Sequence, residues 1–377
     1  MKENIATSSD FPTTGSAVSR RHRFRLRDRT RAVTRELSGG GFLAVACMVC
    51  AAIWAVLWTY VLAFPMAYLD RDYPLSIAKA QLAAQCPAQN IAVFGDSRAL
   101  AGIIPSAMDI RVSNLASPGA SPVENYFLVK RLLRCSTLPK LVVLDQSAAL
   151  YDGPHAFWNV YAYAGTLGTT ELSEVVAAGQ RIHDDELYQI PHPTGVPYAL
   201  LPQLYGMRFP PLYFASILSA YGFARERYNR ETLNNIIQDS GHLFFGDAPG
   251  NDDAADEATE TDWKVTPLSN EYLLRTLALL RKHGVPVVIM TMPVNEATCQ
   301  KMPPIIQARL TRYLNGIERG DSNVVIALSR ISCWPDSDFN DNAHFNKAGA
   351  TAYSKVFAAT MHQALAAVDL KVEKNGK

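Results

Sequence analysis

The chain has 377 residues, 48% hydrophobic and 19% charged, with a net charge of +1. That length allows two or three domains or one large one, and the composition excludes wholesale disorder, collagen-like repeats and a coiled coil. The near-zero net charge hides an asymmetry. Residues 1–36 hold nine basic and four acidic residues, a net of +5, while the rest holds 27 basic and 31 acidic, a net of −4. A mildly acidic body argues against nucleic acid as the principal partner.

Residues 1–19 are polar and rich in Ser and Thr, which predicts disorder. Arg20, Arg21, Arg23, Arg25, Arg27, Arg29, Arg31 and Arg35 follow as a dense basic block, and residues 37–69 then contain no charge at all. The stretch 42–64 reads FLAVACMVCAAIWAVLWTYVLAF. An apolar helix of about 20 residues crosses a bilayer. Trp54, Trp58 and Tyr60 suit the interfacial belt at its far end. The Arg block predicts a cytoplasmic tail over 1–36, a signal anchor over 37–69, and the remaining chain outside. A nucleic-acid arm and a cleaved signal peptide are the competing readings. The run exceeds the about 7–15 residues of a signal h-region, which favours the uncleaved anchor.

Residues 70–90 predict a connector with a helix near 75–84. Short apolar runs follow at 91–94, 111–113, 141–144, 285–292 and 324–327. Such β-branched runs suit strands buried on both faces of a parallel sheet. Helical patterns alternate with them at 123–133, 271–283, 305–317 and 347–368. Gly284 is placed to end the second of these, and Asn346 to cap the last. Alternating strands and helices predict an α/β fold on a five-stranded parallel sheet, with a tail over 367–377.

Residues 152–268 break the rhythm and read as a large insertion, a lid or a partner surface. A helix is expected over 213–228. Residues 247–262 carry seven acidic residues and no basic one, which predicts a solvated, mobile loop. Their spacing does not match an EF-hand. His183, Asp184, Asp185 and Glu186 resemble a metal cluster only superficially. Trp158, Tyr161 and Tyr163 read either as core of the insertion or as stacking platforms for sugar rings.

Of six cysteines, Cys47 and Cys50 lie in the apolar run. The other four fall in the exported body, where an even number suggests disulfides. Four cysteines permit three pairings. Cys86–Cys135 and Cys299–Cys333 are preferred, because each pair brackets neighbouring elements. Zinc spacing is lacking.

Two segments carry chemistry. Phe94-Gly95-Asp96-Ser97-Arg98 stands directly after the first strand, where ligands bind at the carboxyl edge of an open α/β sheet. Asp341-Asn342-Ala343-His344-Phe345-Asn346 lies between the fifth strand and the last helix. A serine hydroxyl needs an adjacent base to act as a nucleophile, and the base needs an orienting acceptor. Ser97, His344 and Asp341 are the residues for those roles. Arg98 can steer an anionic substrate or form a structural ion pair.

This wording resembles the GDSL/SGNH hydrolase superfamily. The resemblance covers about residues 88–366, interrupted by 152–268, and implies a flavodoxin-like α/β/α sandwich needing no metal or organic cofactor. Ser97, Asp341 and His344 match the family's nucleophile, acid and base. Residues 112–121 look like its second block, and by that match Gly119 joins Ser97 in giving a backbone N–H to the oxyanion hole. The family's GxND after the third strand is replaced by Val143-Leu144-Asp145-Gln146-Ser147-Ala148, so Gln146 or Ser147 would have to stand in. The whole arrangement looks similar to membrane-anchored SGNH partners of MBOAT-type acyltransferases in envelope O-acetylation and teichoic-acid D-alanylation. It implies a bacterial inner-membrane protein with a periplasmic or extracellular acyltransferase domain acting on an envelope polysaccharide. An esterase on such a glycan, or a non-catalytic scaffold, are the alternatives.

Overall fold

A computed structural model describes residues 39–86, 90–189, 196–219, 223–327 and 330–375. The expected cytoplasmic tail over 1–36, with its polar start and basic block, lies outside the described residues. In chain order the principal elements are α1 (Gly39–Ala63), α2 (Asp72–Ala84), β1 (Ile91–Gly95), α3 (Ser97–Gly102), β2 (Val112–Asn114), α4 (Pro122–Leu132), β3 (Leu141–Gln146), α5 (Thr169–Ile182), α6 (Phe223–Gln238), α7 (Pro267–Lys282), β4 (Val287–Thr291), α8 (Pro304–Gly320), β5 (Val324–Ile326) and α9 (Lys347–Asn375).

The apolar run forms one helix, α1, long and apolar enough to cross a membrane. Its residues through Leu57 fall in one compact unit, and Trp58 onward belongs to a second that holds the rest of the chain. Phe64 leaves helical geometry before Pro65, which ends the run.

The second unit is built on a five-stranded parallel sheet in the order β2-β1-β3-β4-β5. Alternate residues point to opposite faces, so each β-branched run fills two cores. Phe94, Leu144 and Ile289 pack on one side with Leu128 of α4, Leu277 of α7 and Leu310 of α8. Val93, Val143 and Val288 pack on the other with Leu100 of α3, Ile236 of α6, and Tyr353 and Phe357 of α9. Helices therefore cover both faces. The register aligns Gly95 with Asp145 and Asp145 with Met290, which sets the carboxyl ends of three strands side by side.

Capping explains the helix starts. Ser121 and Glu124 form a capping box at α4. Thr266 caps α7, and Gly284, at φ +68°, follows its end. Asn346 Oδ1 accepts from Gly349 N–H at the start of α9. That helix runs to Asn375, beyond the expected end and through the expected tail.

The segment between β3 and α7 departs most from expectation. It is largely helical, and Phe157, Trp158, Leu172, Val175 and Tyr205 make a core that packs on Phe127 of α4 and Tyr272 of α7. Trp158 is fully buried, with its indole N–H donating to Leu187 O at 3.2 Å, so it is core and not an open platform. Tyr161 is buried as well. Asp184 is a buried turn residue, accepting from the N–H groups of Glu186, Leu187 and Leu268. Of the helix expected over 213–228, Phe214–Ser219 and the start of α6 are helical, and residues 220–222 lie outside the described residues.

Asp247, Asp252, Asp253, Asp256 and Asp262 of the acidic run at 247–262 are exposed, as expected of a solvated loop, but the run's backbone is bonded to its neighbours. Asn295 Nδ2 donates to Asn251 O and Asp253 O, Asn251 N–H donates to Asp336 O, and Ala255 N–H donates to Thr298 Oγ1. Glu257 is buried. Backbone carbonyls in this run are held by asparagine side chains, which a count of charges does not foresee.

Disulfides join Cys86 to Cys135 and Cys299 to Cys333, with Cα separations of 5.2 and 5.8 Å. The second lies beside a short parallel pairing of Val294–Asn295 with Cys333–Trp334. Cys47 and Cys50 are free on α1.

Gly95 is where the sheet tolerates least. A Cβ there would run into the Asp145 carbonyl oxygen and lie 2.9 Å from Ala99 Cβ. Gly95→Ala is expected to lower stability by about 1–3 kcal/mol through overpacking. Urea unfolding checks this, and an unchanged midpoint would contradict the close approach.

Candidate active site

Ser97 is the first residue of α3, in the turn after β1. The turn is held by Asp96, whose carboxylate accepts from the N–H groups of Arg98 at 2.9 Å and Ala99 at 3.4 Å. Its other oxygen accepts from Ser147 N–H at 2.8 Å and from the Ser147 hydroxyl. Asp96 is thus a helix cap and a clamp between the loops after β1 and β3 at once. The first N–H groups of a helix have no intrahelical acceptor. With those of Arg98 and Ala99 taken by Asp96, the N–H of Ser97 is left over.

From the far end of the chain comes His344. Its Nε2 stands 2.8 Å from Ser97 Oγ. Its Nδ1 lies 2.9 and 3.0 Å from the two carboxylate oxygens of Asp341. Asp341 also accepts from the N–H groups of Ala343 and His344, and from Asn340 Nδ2. Partial burial works to raise the Asp341 pKa. The His344 hydrogen bond and charge, with the two backbone donors, outweigh it and hold the carboxyl well below its usual range. It is therefore an ionised acceptor for Nδ1–H, leaving Nε2 to face the serine. Serine, histidine and aspartate stand in the order that general-base activation requires.

The residues around this trio come from the segment before α7. Phe245 stacks on the His344 ring, with centroids 4.3 Å apart. The guanidinium of Arg71 lies 5.7 Å from the same Phe245 ring. Asn340 Oδ1 accepts from Ala248 N–H, Asn346 Nδ2 donates to Ala248 O, and Asn342 Nδ2 donates to Ala254 O. The loop carrying the histidine is pinned on several sides.

The other expected site residues are placed as follows. Arg98 Nη2 pairs with Glu257 Oε2 at 2.8 Å, both side chains being buried. Burial opposes charge on both, but the pairing wins and holds Glu257 below its ordinary value and Arg98 above. This is the structural ion pair among the alternatives for Arg98. Gln146 donates to Ala120 O at 3.0 Å and accepts from Asn125. Ser147 is committed to Asp96. The bonds of Gln146 and Ser147 thus brace neighbouring loops. Gly119, at φ +61°, sits in a loop hung from the end of β1 by Ser117 N–H to Gly95 O at 3.0 Å. A Cβ on Gly119 would come within 2.7 Å of Ala156 Cβ. Pro118 O in the same loop accepts from the Tyr161 hydroxyl at 2.9 Å.

Beneath the nucleophile turn, Asp145 is fully buried and accepts from the Tyr353 hydroxyl at 2.8 Å. Sequence reasoning passed over it, along with Asp96, Phe245 and Glu257. A carboxylate directly after a run of Val and Leu is the available signal for Asp145.

No model of a known protein family matches this chain, and no curated protein matches it.

Burial, with the charge of Asp96 adding to it, pushes Asp145 from 3.8 up to about 7, against the pull of the Tyr353 hydrogen bond. An acid raised on folding favours the native state fully below its unfolded pKa and loses that contribution as pH rises through the folded one. Stability is therefore expected to fall between about pH 4 and pH 7. Asp145→Asn should flatten that slope, leaving the share of Glu124, which burial likewise pushes to about 7. Denaturant unfolding across this range is the check, and an unaltered slope in the variant would count against a protonated Asp145.

Proposed function

We propose that the chain is a membrane-anchored serine acyltransferase of the SGNH type that O-acetylates an envelope or exported polysaccharide. The observation carrying this reading is the 2.8 Å approach of Ser97 Oγ to His344 Nε2, with Asp341 behind the histidine. Three further features support it. The strand order is that of a flavodoxin-like α/β/α sandwich. The trio sits at the carboxyl edge, where such folds bind ligands. Phe245 and Ala248, from the segment before α7, pack against the histidine loop.

In the proposed reaction, His344 Nε2 takes the Ser97 hydroxyl proton as Oγ attacks the carbonyl carbon of an acyl ester or thioester. The N–H groups of Ser97 and Gly119 receive the oxyanion. The tetrahedral intermediate collapses, the bond to the leaving group breaks, and His344 returns the proton to that group. A sugar hydroxyl then gives its proton to His344 and attacks the acyl-serine; the ester bond to Oγ breaks, His344 returns the proton to Oγ, and the O-acyl sugar and free Ser97 are released. With Gln146 and Ser147 bonded elsewhere, the hole relies on backbone donors.

Under this reading α1 is a single inner-membrane span with its N-terminus in the cytoplasm. The domain from Trp58 onward then works in the periplasm or outside the cell, where its disulfides persist. An MBOAT-type membrane acyltransferase is the proposed source of the acyl group.

The test uses the full chain in detergent, p-nitrophenyl acetate and an acceptor oligosaccharide, followed by intact mass spectrometry. An acetyl adduct on the protein and acetylated sugar are expected. Ser97→Ala should abolish both, and Asp341→Asn should slow turnover by about 10³–10⁴. Free acetate with no acetylated sugar would turn the reading toward an esterase. An adduct or turnover that survives Ser97→Ala would remove the serine from the chemistry.

A further inference from the structure

Residues 187–224 contain a single formally charged side chain, Arg208, in a chain that is 19% charged overall. That arginine is turned inward. Its Nη2 donates to Ala164 O at 2.9 Å, its Nη1 to the Tyr68 hydroxyl at 3.3 Å, and its guanidinium lies 5.8 Å from the Tyr73 ring centroid. The outer face of the described part, 196–219, is thus uncharged. It is also apolar: Leu200 is 51% exposed, Leu218 is 86% exposed, and Met207 and Phe214 are open as well.

This face adjoins the last turns of α1. The Trp58 indole N–H donates to Met207 O at 3.0 Å, and its ring meets Phe209 edge-on at 6.0 Å. Val61, Tyr68 and Tyr213 form a small buried cluster that Leu212 and Ile217 join. Trp58 precedes the helix end by five residues, about 7.5 Å of rise. Leu62 and Phe64, beyond it, are themselves exposed. The turn at 207–209 therefore lies level with apolar helix that still presents bare side chains outward.

We propose that residues 198–219 are seated in the interfacial layer of the bilayer, as a collar beside the end of α1. This rests on the reading of α1 as a membrane span. Water solvates an apolar surface of this kind poorly, and such patches mark interaction sites. The continuity with α1 identifies the occupant as lipid. Trp58 and Tyr60 are of the aromatic types common at that depth.

The experiment uses the full chain in lipid nanodiscs, with Cys47→Ala and Cys50→Ala removing the free thiols. Single nitroxide labels are placed through Leu218→Cys, Phe214→Cys, Val49→Cys and Leu274→Cys. Power saturation compares collisions with oxygen, which concentrates in lipid, and with a water-soluble nickel chelate. Labels at 218 and 214 are expected to favour oxygen as the label at 49 does, while 274, exposed on α7, favours the chelate. If 218 and 214 behave like 274, the collar faces water and the inference fails. If they are shielded from both reagents, protein covers the face and the lipid assignment fails. A label at 49 that favours the chelate would overturn the spanning reading, and the inference with it. Two collar positions guard against one variant misfolding, and an unchanged unfolding midpoint verifies each.

Discussion

A buried carboxylate must be satisfied by donors or it costs several kcal/mol. Asp96 is such a group, and its donors determine how the site is assembled. Two lie in α3, which fixes the turn that presents Ser97. Two come from Ser147, which fixes the end of β3 against the end of β1. Because the carboxylate needs all of these, the nucleophile turn cannot shift independently of the sheet. The hydroxyl of Ser97 is left with one close neighbour, a histidine 247 positions along the chain.

The histidine arrives by a separate route. Its loop is fixed by asparagines, at 340, 342 and 346, whose side-chain amides bind backbone or side-chain groups. Glu257, from the same acidic run that passes these asparagines, reaches Arg98 next to the nucleophile. A buried ion pair adds little net stability, but removing one partner costs about 3–5 kcal/mol because the other is stranded. The pair therefore registers the acidic run against the nucleophile turn. Lys79 does similar work on the other side, donating from a buried position to Asn114 O and Gly241 O. Burial drives its pKa well below that of a free lysine.

Much of this architecture was legible from the chain. Runs such as 141–144 and 285–292 announce buried parallel strands because β-branched side chains fill two faces. Ser97, His344 and Asp341 stand out since each lies where a strand ends and a helix begins. What escaped detection depends on partners far away in sequence. Phe245 is one aromatic residue in a loop until the His344 ring is set against it. Glu257 is one of seven acids in a run until Arg98, 159 residues away, is placed beside it. The seven acids suggested solvation because charge is visible in a sequence, while hydrogen bonds from Asn295 to the backbone are not. Gln146 and Ser147 drew notice by position alone, and their actual bonding is to neighbouring loops.

The contacts of Phe245 with both His344 and Arg71 fix a working radius. Arg71 lies eight residues past the end of α1. Fully extended, such a leash could reach about 26–29 Å, but it is largely coiled into the turn at Pro65–Tyr68 and the start of α2. His344 is thus held one aromatic ring from a residue eight positions past the end of α1. If the proposed acyl transfer holds, an acyl donor delivered at the bilayer would meet the serine without diffusing away, and a polymer acceptor would have to come to the membrane surface to be modified.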